Sequence, residues 1–458
     1  MLLRSRWRLF AYLLGCAFLV STLAFINCYP LVYSDSGTYI RSAFTLLPPN
    51  DRPIGYGLII RAVTWQSTLW TVVLFQGAMV SWLLYEVLKQ LLPATISIWR
   101  VHLCLVAVLM LCTSMPWYAA EIMPDALTPM IALMLFLLFV GQGLAVLKRI
   151  FLWICLFFFL IAHNSHVATS LLFLSLAAVF VILGRRSSKR FWLIWSGVLT
   201  TTLAGIFFVA GFNGAHGLRS EFSPSAHVFF AGRLCEGEIL GDFLDERCGE
   251  ENYALCPFKD ELPTYPSGFI WGGSSMVDRL GGNMLLADSL LKPMIHDLMS
   301  DPEYLGRYVR LAMVASVTQF FQTGTNTGLH SFPEDSAPFS AIKQHLPWEA
   351  SMYLHSSQIH NAWADISNCD RRVRLVLFLS VLLVLWCWRS INHAVPLRSL
   401  VLILGSWVIL NAIVTGSLAN VDSRLQSRVT WLIVLTACAT LMHTPWGARH
   451  LNKYARIQ

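Results

Sequence analysis

The sequence predicts an all-α integral membrane protein of about ten transmembrane helices, with room for an eleventh. A large extracytoplasmic loop region is predicted between helices seven and eight. Three observations carry this. Of 458 residues, 56% are hydrophobic and 13% charged, roughly half the charged share of a soluble domain. Mean hydropathy is +0.58. The apolar residues gather in long runs with the basic residues in short clusters between them. That clustering is how a polytopic protein orients itself. It removes the nucleic-acid reading that a net charge of +7 invites.

The runs lie near 9–27, 68–88, 101–115, 126–147, 150–162, 167–184, 191–211, 375–388, 399–416 and 430–443. Arg4, Arg6 and Arg8 precede the first, as in a secretory signal. The run is too long for such a signal and has no small-residue cleavage site, so it reads as a retained helix. With a cytoplasmic N-terminus, the inside loops hold Lys89 and Arg100, Lys148 and Arg149, then Arg185, Arg186, Lys189 and Arg190. Arg389 and Arg398 follow, and a cytoplasmic C-terminal tail carries Arg449, Lys453 and Arg456. The segment 307–322 has only about a dozen uninterrupted apolar residues, short for a span. Arg307, Arg310 and Gln319 bracket them, and it reads as an interfacial helix.

Three modules follow: a seven-helix module over 1–211, an extracytoplasmic loop domain over 212–371, and a three-helix module with its tail over 372–458. Residues 212–306 hold 15 Asp and Glu against 6 Lys and Arg. Cys235, Cys248, Cys256 and Cys369 lie in the external region. In an oxidising space they can pair in three ways or stay free. No repeat, phosphate-cradling Gly loop or CxxC occurs. With no N-x-S/T sequon and short inside loops, the expected location is a bacterial inner membrane.

Ionisable residues at a membrane boundary are costly and usually functional. Here they fall on the outside face. Asp35 follows the first helix, with Tyr39 one helical turn on. Asp35 can cap a short helix, or serve as a partly desolvated general base. Asp51, Arg52 and Pro53 form a turn before the second helix. Glu121 and Asp125 are four apart, suited to a cation, a sugar hydroxyl or a helix dipole. His163 and His166 are three apart, two ligands where a metal needs three or four. Arg424 and Arg428 are one turn apart, suited to phosphate oxygens or to snorkelling. His330, His345, His355 and His360 lie in 323–371, with Trp363 as a stacking surface.

These residues resemble the C-type (GT-C) polytopic membrane glycosyltransferases. The matching pieces are SDSGTY at 34–39, RPIGYG at 52–57, EIMPD at 121–125, DPEYLGRYVRL at 301–311 and VDSRLQSR at 421–428. Leu425 stands where the family pattern places Tyr. The resemblance covers the layout of about the first 210 residues and short motifs beyond. It implies a helical fold with external loops over a cavity, a sugar donor on a polyprenyl phosphate, and inversion at the anomeric carbon. By the same resemblance Asp35 is the base, and Arg52, His166, Arg424 and Arg428 hold the donor phosphate. Glu121, Asp125, His163 and Tyr39 face the acceptor or a cation. No cofactor is required, although one branch of the family uses a divalent cation. The partners are the polyprenyl-phosphate-linked sugar, a glycan, lipid or protein acceptor, and membrane lipids.

Three other classes compete, one of them a non-catalytic membrane scaffold whose external region binds a partner. A lipid-linked glycan polymerase or O-antigen-type ligase would work through His360 and leave Asp35 without a role. A secondary transporter or flippase would place ionisable residues inside broken spans. Here Glu86 lies in a span, but near its cytoplasmic end.

Overall fold

The computed structural model describes residues 2–184, 188–325, 327–363, 367–388, 391 and 394–454. Arg185, Arg186, Arg389 and Arg456, used above for orientation, lie outside the described residues. Among those described there is no β-strand. Leu31 and Glu121 form a single parallel bridge.

The chain opens with α1 (Leu2–Val20), followed by two short helices in the first loop, α2 (Ser36–Thr45) and α3 (Gly55–Thr64). Next come α4 (Trp70–Leu91), α5 (Ile98–Cys112), α6 (Leu127–Val140), α7 (Val146–Leu160), α8 (Asn164–Leu183) and α9 (Lys189–Ala215). The later loop region holds α10 (Ala226–Cys235), α11 (Met284–Ser300), α12 (Pro302–Phe320) and α13 (Ala337–His345). Then α14 (Ser367–Trp386), α15 (Val395–Leu418) and α16 (Ser423–His443) complete the bundle.

Each of the ten apolar runs is mostly helical, although 9–27 is interrupted at Ser21, 101–115 outlasts α5 and 126–147 breaks after Val140, and fewer qualify as spans. Five helices are long and apolar enough to cross a membrane: α4, α8, α9, α15 and α16. The apolar part of α1 starts at Trp7, and α5 and α6 are short. Helix α7 opens on Lys148 and Arg149, and α14 carries Asp370, Arg371, Arg372 and Arg374 in its first turns. The run 126–147 breaks where α6 ends at Val140: Gly141 leaves the helix at φ −56° and ψ 125°, and Gly143 then takes φ +65° before α7.

Burial sorts the helices. From Leu127 to Leu138 every residue of α6 is buried. A helix apolar all round and buried all round belongs at the centre of a bundle. By contrast α9 shows Leu193 and Phe207 outward, about 70% exposed each, as a lipid-facing helix would. Close approach sets the first loop. A Cβ on Gly37 would sit 2.4 Å from Ala337 O, so α2 lies backbone to backbone on α13.

The two ends of the bundle differ. At one end Lys148 and Lys89 pair with the buried Glu86, Arg190 donates to Gly141 O, and His443 meets Leu91 O. At the other end the loops near 30, 50, 121, 163 and 422 converge. The predicted separation of basic loops from polar boundary residues is therefore a separation in space.

The 212–371 region, expected as one loop domain, divides between two cores. Residues from Val228 to Tyr304 build their own cluster around Leu240, Phe243, Phe269 and Leu291. Leu329, Phe332, Phe339, Ile342 and Tyr353 belong to the main bundle core instead. Residues 307–320 of the segment 307–322 lie on α12. The first half of α12 joins the smaller core through Tyr304, and its second half packs on α15 at Gly416. Cys248 and Cys256 are disulfide-bonded, while Cys235 and Cys369 are free.

Because Gly37 has no room for a side chain, Gly37→Ala will force α2 off α13. Overpacking of this kind costs about 1–3 kcal/mol. The thermal midpoint of the purified protein should fall by several degrees. An unchanged midpoint would show that the contact can relax.

Candidate functional site

The first external loop is fastened before it reaches Asp35. Leu31 N donates to Ala120 O (2.9 Å) and Ile122 N to Leu31 O (2.8 Å). Ser36 Oγ accepts from Tyr33 N (2.8 Å) and donates to Ile122 O (2.9 Å). Gln358 brackets Val32, accepting from its N–H (3.0 Å) and donating to its carbonyl (2.7 Å). This is the work of the HSSQIHNAWAD segment, whose Asp365 lies outside the described residues. Trp363 donates to Asn27 Oδ1 and stands edge-on to Trp117, so it is part of the fastening and not a platform on the cavity. His360 is exposed and away from the cavity wall.

Asp35 occupies the N-cap of α2, yet its carboxylate makes no capping bond. It turns to Arg52, with Nη1–Oδ2 at 3.0 Å and Nη2–Oδ1 at 3.2 Å. Asp51 grips the same guanidinium through Nε at 2.9 Å. Burial opposes the Arg52 charge, but Asp35 and Asp51 outweigh it and hold its pKa above the ordinary arginine value. The guanidinium lies over the Tyr39 ring at 5.2 Å, a cation–π contact. The Asp35 side chain keeps 29% of its surface exposed and lines a cavity of about 810 Å³.

That cavity brings together much of the predicted set. Asp35, Tyr39, Arg52, His163 and Arg424 all line it. Four others stand behind the wall. Asp125, 1% exposed, receives Arg424 on one carboxylate oxygen (3.3 Å) and Arg428 on the other (2.9 Å). Arg428 is fully buried and also donates to Ser165 Oγ (3.1 Å) and Asn411 Oδ1 (3.0 Å). His166 is fully buried, its Nε2 at 2.7 Å from Thr128 Oγ1 and its Nδ1 at 2.7 Å from Phe159 O. The expectation that His166 and Arg428 touch a donor phosphate is corrected by this burial. They hold the wall from behind. Glu121 is buried too, and its Oε1 has no hydrogen-bond partner among the described residues. Burial first, and Asp125 second, push its pKa up to about 8.

His163 connects these layers. Its Nδ1 accepts from Ser165 N (3.2 Å) and pairs with Ser165 Oγ (2.8 Å), while that Oγ accepts from Arg428. An Nδ1 used as acceptor leaves the proton on Nε2. Burial and the nearby Arg428 charge hold the His163 pKa well below the usual imidazole value. His163 is therefore a neutral donor on the cavity wall.

Arg424 finds its aromatic partner elsewhere than at position 425. Its guanidinium stacks on Tyr33 at 4.1 Å. Asp422 accepts from Arg424 N (2.7 Å) and caps α16. Gln319 of α12 then clamps Asp422 through two backbone hydrogen bonds of 2.8 Å.

Sequence reasoning left out several lining residues. Asp51 read as a turn residue. Tyr33, Asn164, His227, Trp271 and Asp422 carried no signal of their own, although Tyr33 abuts the SDSG segment. Phe229, Phe230, Ile270, Val414 and Leu418 give the cavity an apolar side facing its charged side. A cation is not what the acidic pair fits. Both oxygens of Asp125 are taken by arginines, and no group of three or more His, Cys, Asp or Glu among the described residues is placed to hold a metal.

Two stability tests follow. Asp125→Ala will strand two buried guanidinium groups, which typically costs about 3–5 kcal/mol; a near-wild-type midpoint in a melting experiment would contradict the shared pairing. Glu121 is raised from 4.5 in the unfolded chain to about 8 in the fold. The unfolded chain loses this proton first, so stability falls as pH rises between those values. Glu121→Gln should then melt higher than wild type at pH 8 and equally at pH 4.5, and equal melting at both would remove the buried acid from the account. The chain matches no protein-family model, no curated protein and no solved structure.

Proposed function

We propose that this protein is a membrane glycosyltransferase of the GT-C kind. It moves a sugar from a polyprenyl-phosphate donor to an acceptor hydroxyl, with inversion and on the extracytoplasmic side. In this reading the helices short of five clear spans complete a bundle of about ten, in a bacterial inner membrane. The single observation that carries the proposal is the Asp35 carboxylate. It is free of the capping bond its position offers, fixed by Arg52, and exposed to a large cavity. A general base must be held within reach of the proton it takes, and this carboxylate is both held and reachable.

The chemistry follows. Asp35 Oδ takes the proton of the acceptor hydroxyl as that oxygen attacks the anomeric carbon. The bond from that carbon to the phosphate oxygen breaks, and its electron pair stays on the phosphate. Preset donors stabilise charge that develops in the transition state. His163 and Asn164 are neutral donors on this wall, and Arg424 adds a guanidinium above Tyr33. The apolar side of the cavity, from Phe229 to Leu418, suits the first isoprene units of the donor. Glu121 and Asp125 set the charge and shape of the wall from behind it.

The test is sugar transfer by the purified protein in lipid, with a pool of labelled polyprenyl-phosphate sugars as donors. Asp35→Asn keeps the size and removes the base. It should lower the rate by about 10²- to 10⁴-fold with the donor still bound. Equal transfer by mutant and wild type would remove Asp35 from the chemistry. No transfer from any donor by the wild type would remove the transferase reading.

A further inference from the structure

Every guanidinium on the Asp35 side of the cavity already has a carboxylate. Arg52 has Asp35 and Asp51, and Arg424 and Arg428 share Asp125. With Asp422 also present, that side carries more carboxylates than guanidiniums. Its guanidiniums are already neutralised, so a phosphate held there needs a further donor. The smaller core supplies what that side lacks. His227, in the first turn of α10, lines the same cavity. Ser225 Oγ just before it donates to Asn50 O (2.7 Å), which ties this turn to the Asp51–Arg52 loop.

His227 is held by a fully buried carboxylate. Asp288 of α11 accepts the His227 backbone N–H at 2.7 Å and faces ring Nδ1 at 3.1 Å. Arg219 fixes the other Asp288 oxygen at 2.7 Å and also donates to Ser289 Oγ (2.7 Å). The backbone bond alone would be an ordinary helix-start contact. The second contact, to the ring, is not needed for that. It turns Nδ1–H toward the carboxylate and leaves Nε2 for a ligand, while 30% of the side chain stays exposed. A carboxylate on Nδ1 fixes ring orientation and pairs with imidazolium charge. The other charged groups near it are Glu221, 3.7 Å from Arg219, and Asp51 and Arg52 beyond Asn50. Helix 266–270 and the last turns of α15 bring none.

The geometry points to His227, positioned by Asp288, as a further phosphate-binding side chain of the cavity, donating from Nε2 to the phosphodiester of a lipid-linked sugar. This rests on the transferase reading. The proton stays on Nε2 throughout; the leaving phosphate takes the electron pair of the broken bond, and Asp35 takes the acceptor's proton. Asp288 is a positioning residue and touches no substrate.

The test is binding, without turnover, to the full chain in nanodiscs of zwitterionic lipid. The probes are a polyprenyl-phosphate monosaccharide and inorganic phosphate. Wild type should bind the diester. His227→Ala should bind it about tenfold more weakly, and His227→Gln, which keeps a donor, should recover part of the loss. Asp288→Asn should weaken binding less than His227→Ala and add nothing to it in the double variant, which separates lost positioning from a lost ligand contact. If His227→Ala matches wild type in affinity, the assignment of His227 is overturned while the transferase reading stands. If wild type does not bind the diester, both fall. If inorganic phosphate alone binds with the His227 dependence, the lipid-linked ligand is overturned and the phosphate site stands.

Discussion

Asp125 shares its carboxylate between Arg424 and Arg428, one oxygen to each, at a depth where none of the three meets much water. Asp125 is the shared partner, so its removal leaves two buried guanidinium groups without a counter-charge, while removal of either arginine leaves the other pair in place. The rest of the wall hangs on this triad. Arg428 orients Ser165, Ser165 orients His163, and Arg424 is laid against Tyr33. Tyr33 belongs to the loop that delivers Asp35. The start of α8, the start of α16, the loop before α6 and the first loop are thereby held in one arrangement.

The cavity has an ionic side drawn from the bundle and an apolar side drawn mostly from the smaller core, with Val414 and Leu418 of α15 added. The bundle supplies Asp35, Arg52, His163 and Arg424. The smaller core supplies Phe229, Phe230, Ile270, Trp271 and His227. A substrate that is polar at one end and greasy at the other matches such a division. Helix α12 couples the two parts, because it is buried in the smaller core at Tyr304 and clamps the Asp422 cap of α16 through Gln319.

Much of this was legible in the sequence, for physical reasons. Apolar runs must become helices in lipid, since helices satisfy their own backbone, and most of every run did. Boundary carboxylates and arginines are costly, so their clustering on one predicted face marked a real place in the structure. Depth within that place was not legible. His163 and His166 look alike at three-residue spacing, yet one is on the cavity and the other behind Thr128. Arg424 and Arg428 divide in the same way. One helical turn decides between wall and core, and only packing sets the phase. His227 was invisible for another reason. Its partner Asp288 is sixty-one positions away, and neither residue stands in a motif. The loop domain was read as one unit because composition reports exposure and not which core a segment joins.

The order of synthesis adds a constraint that the finished fold hides. Asp125 is made about three hundred residues before its two cations. Until α16 packs against α6, the buried acid at the head of α6 has no counter-charge and Tyr33 lacks the guanidinium it stacks on. The charged wall of the cavity therefore becomes complete only when α16, which carries both cations, has joined the helices made before it.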